Sequence, residues 1–100
     1  ELLLGRQNAE YFMNLKTPEL IDKFLKYQEN IKSASGLTLK AYKKDLEQAF
    51  LEKNAPPTLE AELLRAAKTA MIAWSDLSPA SRNRKGASIK SFFRYLYDQA

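Results

Sequence analysis

Residues 77–96, LSPASRNRKGASIKSFFRYL, carry five cations and no acid. Ser81, Arg84, Lys85 and Ser88 there mix long cations with short hydroxyls, and Thr38, Lys40, Lys43 and Lys44 repeat the mixture further up the chain. The chemistry open to such sets is anion recognition. Arg and Lys neutralise phosphate oxygens and donate to them, Ser and Thr add short donors, and a helix amino terminus adds partial positive charge. The charge is localised. From residue 78 onward five cations face one acid, whereas residues 1–77 hold eleven of each, so the whole net charge of +4 falls in the last stretch. A localised basic stripe is the footprint of a face that binds a polyanion.

Other chemistries are excluded by composition. The chain has no His and no Cys, which removes the common zinc sites and His-based acid–base or nucleophilic constellations. Three glycines at Gly5, Gly36 and Gly86 form no phosphate-cradling loop. Glu60, Glu62 and Asp76, interspersed with Arg65 and Lys68, read as surface ion pairing. No active site, no metal and no cofactor is expected.

One hundred residues with 45% hydrophobic and 28% charged side chains suit a single folded domain. Without Cys there is no disulfide framework, and the cytoplasm is the expected compartment. Glu1-Leu2-Leu3-Leu4 is too short for a signal segment, and no apolar run approaches the roughly 20 residues of a membrane span. The chain begins without Met and ends just after an apolar helix, so it reads as a piece of something longer.

Four helices are needed to position these residues. Thr17-Pro18-Glu19 signals a helix start with Thr17 as cap, and Leu20, Ile21, Phe24, Leu25, Gln28 and Ile31 follow the helical period. Ser33-Ala34-Ser35-Gly36 breaks this helix, and Leu37-Thr38 opens the second, with Thr38 at its cap and Tyr42, Leu46, Ala49 and Phe50 inward, to about Lys53. Asn54-Ala55-Pro56-Pro57 must interrupt any helix, because two prolines remove two donors. Thr58 then caps a third helix with Leu63, Leu64, Ala67, Ala70, Met71 and Trp74. Ser78-Pro79 starts a fourth, running to about Tyr97. No segment alternates as a strand does, so the fold is expected to be all-α. Residues 1–16 are left as a short fifth helix or an anchored tail.

At 100° per residue, Ile89, Phe93 and Leu96 share one side of the fourth helix, with Gly86 and Tyr97 at its flank, and this side is expected to face the core. Opposite fall Ser81, Arg84, Ser88, Ser91 and Tyr95, with Lys85 and Phe92 at the margin. Arg82 points awkwardly inward. Lys40, Lys43 and Lys44 lie on the outer face of the second helix. If the amino-terminal halves of both helices are adjacent, the two faces form one cationic surface of a width that fits a DNA major groove.

Leu37-Thr38-Leu39-Lys40-Ala41-Tyr42-Lys43-Lys44-Asp45-Leu46, then Leu77-Ser78-Pro79-Ala80-Ser81-Arg82-Asn83-Arg84-Lys85, then Ser88-Ile89-Lys90-Ser91-Phe92-Phe93-Arg94-Tyr95-Leu96, resemble the N-terminal core-binding domain of tyrosine recombinases, the phage-integrase and Xer-like family. Leu20-Ile21-Asp22-Lys23-Phe24-Leu25 is similar to that domain's opening helix. The resemblance spans about residues 17–97 and leaves 1–16 outside. It implies a SAM-like orthogonal bundle of four helices whose second and fourth approach the major groove, with a separate C-terminal catalytic domain supplying the nucleophilic Tyr. By motif position Thr38, Lys40, Lys43, Lys44, Ser81, Arg84, Lys85 and Ser88 would lie on the DNA side, and none of the five Tyr here would be catalytic. The family commonly has bulky aliphatics where this chain has Arg82 and Gly86. Either Trp74 or Met71 is expected to fill the gap at Gly86, or this helix is less firmly held than usual.

The implied partners are duplex DNA at a recombination half-site, the catalytic domain of the same protein and other recombinase protomers on that DNA, with no membrane. The implied role is a module that clamps DNA, positions a catalytic domain, and is not itself an enzyme. Two other readings stay open: a helix-turn-helix transcription regulator, and a helical interaction domain that docks an acidic protein.

Overall fold

The structure, a computed structural model, describes residues 16–51 and 60–99. Four α-helices follow one another, α1 (Thr17–Asn30), α2 (Gly36–Phe50), α3 (Glu60–Ala73) and α4 (Pro79–Gln99), and a 3-10 turn at Trp74–Asp76 links the last two. The fold is all-α, and no strand occurs among the described residues. The tail or fifth helix before Lys16, the Asn54–Pro57 break, the Thr58 cap and the extension of the second helix to Lys53 lie outside the described residues. No described helix is long and apolar enough to cross a membrane.

Local chemistry sets the helix starts, one or three residues from where the motifs suggest. Lys16, not Thr17, occupies the cap position of α1, and Thr17 is drawn into the first turn and buried. Ser35, not Thr38, caps α2: its Oγ accepts the Thr38 backbone N–H at 3.1 Å and its hydroxyl donates to Thr38 Oγ1 at 3.0 Å. Ser78 repeats this arrangement ahead of α4, accepting the Ser81 N–H at 3.3 Å and donating to Ser81 Oγ at 3.1 Å. Each of the two serine caps satisfies one orphan donor of its first turn, whereas the Lys16 side chain makes no cap bond. Between α1 and α2 the chain reverses through Ser33, whose φ of 55° is left-handed. The Ala34 N–H returns to the Gln28 carbonyl at 2.9 Å, closing the end of α1.

An aromatic cluster joins α1, α2 and α4. The Phe24 ring lies 5.3 Å from Tyr42, 5.5 Å from Phe92 and 5.7 Å from Tyr95, and Phe50 lies 5.6 Å from Phe92. These are tilted and edge-on geometries that aromatic quadrupoles favour. Leu20, Ile21, Leu46 and Ala49 fill in around them, and α3 closes the core with Leu63, Ala66, Ala67 and Ala70. Ile31, expected inward on α1, is exposed.

The face of α4 differs from the expected one. Its buried stripe is Lys85, Ser88, Ile89, Phe92, Tyr95 and Leu96, which turns the inner side by about 60° relative to the stripe expected from Ile89, Phe93 and Leu96. Tyr95, expected outside, and Phe92, expected at the margin, are core residues, while Tyr97 is 60% exposed and Arg82 faces solvent. The physical reason is a buried carboxylate on α2 that lets two polar side chains enter the interior.

Candidate nucleic-acid interface

Asp45 is fully buried on the α4 side of α2. Its Oδ1 accepts from Arg84 Nη2 and from Lys85 Nζ, each at 3.1 Å, and its Oδ2 accepts from Ser88 Oγ at 2.8 Å. Lys85 Nζ also donates to Gln48 Oε1 at 2.6 Å and stands 5.0 Å from the centroid of the Trp74 ring. Asp45 therefore ties α2 to the amino-terminal half of α4, and Lys85 reaches on to the end of the α3 segment. No buried side-chain nitrogen or oxygen among the described residues lacks a partner. Such a network is costly to half-dismantle: removing one partner of a buried ion pair typically costs about 3–5 kcal/mol, because the survivor is left charged and dry.

Two residues expected at the surface are therefore corrected. Lys85 and Ser88 are buried, bonded to Asp45, and do not face solvent. Arg84 remains outside: its side chain is 51% exposed, against 9% for Lys85, and a single guanidinium nitrogen engages Asp45. Thr38, Lys40, Lys43 and Lys44 are all exposed on α2, and Ser81 is half-buried at the start of α4. The two hydroxyls at the third helical position, Thr38 and Ser81, each bond the hydroxyl of their cap residue.

Pairing along the two helices fixes which of their ends lie together. Asp45 meets Arg84, Lys85 and Ser88, and five residues on Phe50 meets Phe92 and Phe93. The contacts advance in the same sense along α2 and α4, so both amino-terminal halves lie on the same side of the crossing. At 100° per residue Lys44 lies about 100°, Lys40 about 140° and Lys43 about 160° around α2 from Asp45, so Arg84 lies against the buried carboxylate while the three lysines stand on the sides of α2 turned away from it. At the matching ends, both helices present a hydroxyl cap and unpaired amide donors, where anions are favoured.

Sequence reasoning missed Lys90 and Arg94, which lie on the true outer face of α4 with Asn83 and Ala87. The signal was present: these positions recur at the helical period opposite Phe92 and Leu96. The gap at Gly86 is not filled. A cleft of about 440 Å³ remains there, lined by Met71, Trp74, Arg82, Asn83, Gly86, Ala87 and Lys90.

A family model described as phage integrase, N-terminal SAM-like domain, matches residues 21–100. Over 88 residues the chain is 33% identical to the tyrosine recombinase XerC of Erythrobacter litoralis (strain HTCC2594), an overlap of 84% of this chain and 26% of that protein. The chain thus spans about a quarter of that relative's length. No solved structure matches it. With four helices in the order and places that its motifs require, and a match covering four-fifths of its length, the chain belongs to the family of phage-integrase N-terminal SAM-like domains.

Proposed function

We propose that this chain is the DNA-binding module of a site-specific tyrosine recombinase or integrase. It grips duplex DNA through the amino-terminal halves of α2 and α4 and positions a separate catalytic domain of the same protein for strand exchange, in concert with other protomers on the recombination site. It cuts nothing itself. The observation that carries this reading is that Thr38, Lys40, Lys43 and Lys44 of α2 and Arg84 of α4 are exposed on two helices tied together by the Asp45 network. In this reading Lys85 and Ser88 support the two helices from inside. Family membership favours it over a transcription regulator or a module for an acidic protein partner.

Binding is mainly to phosphates, so it tolerates many sequences, is micromolar or weaker for the isolated module, and falls steeply with salt. The test is the simultaneous replacement Lys40→Ala, Lys43→Ala and Lys44→Ala, followed by fluorescence anisotropy on several unrelated duplexes. All three side chains are exposed, so the fold should be kept. The expected result is weaker binding to every duplex, with the slope of log affinity against log salt shallower by about three. Unchanged affinity would remove α2 from the interface.

A further inference from the structure

We infer that Lys85 controls DNA binding from the interior without touching DNA, by neutralising Asp45 so that Arg84 is free to give its charge to a phosphate. The inference rests on the DNA reading above and assigns Lys85 and Asp45 as positioning residues for it.

Three donors converge on one carboxylate, and they are not equivalent. Lys85 is locked: Asp45, Gln48 and the Trp74 ring all hold its ammonium, and its side chain is 9% exposed. Ser88 takes the second carboxylate oxygen at 2.8 Å. Arg84 shares Oδ1 with Lys85 through one nitrogen while half of its side chain stands in solvent. With Lys85 present, both oxygens of Asp45 keep a partner when Arg84 leaves, and the buried negative charge stays paired. Arg84 is thus the surplus cation of the cluster, and departure towards a phosphate strands nothing. Remove the Lys85 charge and the balance changes. Arg84 becomes the one counter-ion that the described structure offers Asp45, and leaving would abandon a buried, unpaired carboxylate. Arg84 would then stay on Asp45, lost to DNA although still present in the sequence.

The mechanism gives a pattern that a purely structural Lys85 would not. Duplex binding by the full 100-residue chain is measured by anisotropy across a salt series for the wild type, Arg84→Ala, Lys85→Met, and Lys85→Met combined with Asp45→Asn, each first shown to unfold cooperatively. Arg84→Ala is expected to make the salt slope shallower by about one. Lys85→Met is expected to do the same, and to add nothing when combined with Arg84→Ala. Adding Asp45→Asn to Lys85→Met is expected to restore the wild-type slope, because a neutral amide no longer claims Arg84. If Lys85→Met does not fold, Lys85→Gln keeps a polar head for Gln48 and carries the same expectation. A wild-type slope in the Lys85 variant beside a reduced slope in Arg84→Ala overturns the inference and leaves the DNA reading standing. Failure of the wild type to bind any duplex overturns the DNA reading itself, and this inference with it.

Discussion

Gly86 sits in the middle of α4 with nothing within 4 Å of where a Cβ would stand. A helical glycine costs about 1 kcal/mol relative to alanine through the backbone freedom lost on folding. Here no close approach of another chain segment requires it. Gly86→Ala is therefore expected to stabilise the chain by about 1 kcal/mol, read as a rise in the urea midpoint with an unchanged slope of the transition. An unchanged or lowered midpoint would show that the open cleft beside Trp74 is closed in solution. Asp45 illustrates the opposite case, where one side chain decides what many others do. A single acid among Lys40, Lys43 and Lys44 reads as one more solvated charge, because sequence spacing alone does not distinguish a carboxylate facing water from one facing a neighbouring helix. Its burial is what makes Lys85 and Ser88 interior residues.

At the scale of the helices, the elements themselves were legible: Pro18, Ser35-Gly36 and Ser78-Pro79 mark starts, and Phe24, Leu46, Ala49 and Phe50 mark inner faces. The orientation of α4 was not. A helix is assigned its inner face by counting polar residues outward, and the Asp45 network inverts that count by making an ammonium and a hydroxyl compatible with the interior. Tyr95 was thereby displaced to the outside and Phe92 to the margin, although both share the stripe of Ile89 and Leu96. The candidate site inherits this division. The α2 half, Lys40, Lys43 and Lys44, was readable because nothing buried contradicts its charge pattern. On α4 only Ser81 and Arg84 remain near the surface of the four residues singled out. The two orientations of α4 separate cleanly by mutation. Phe92→Ala empties the centre of the aromatic cluster and should cost about 3–5 kcal/mol, whereas Tyr97→Ala removes a side chain that is 60% exposed and should stay within about 0.5 kcal/mol. Denaturant unfolding of both variants checks the difference, and equal losses would contradict the orientation described.

For the whole molecule, the arrangement is a bundle whose rigidity and charge are supplied by the same helices. The aromatic cluster holds α1, α2 and α4 together, the Asp45 network fixes α4 against α2, and the exposed cations sit on the outside of that joint. If the proposed function holds, a surface built on two helices locked in this way presents its cations without having to order a loop first, which spares binding part of the entropy cost. Under the proposed function, a modest net charge suffices because Lys40, Lys43, Lys44 and Arg84 are exposed on α2 and α4, while the acids of the first three helices are distributed among other cations. The most direct measurement of this account is an NMR titration of the uniformly 15N-labelled chain with a short duplex at moderate salt, following backbone amides. The account predicts shifts concentrated at residues 35–44 and 78–84, fading as salt is raised, with the outer face of α3 at Arg65, Lys68 and Ile72 unmoved. Shifts centred on α3, or none along the amino-terminal halves of α2 and α4, would contradict it.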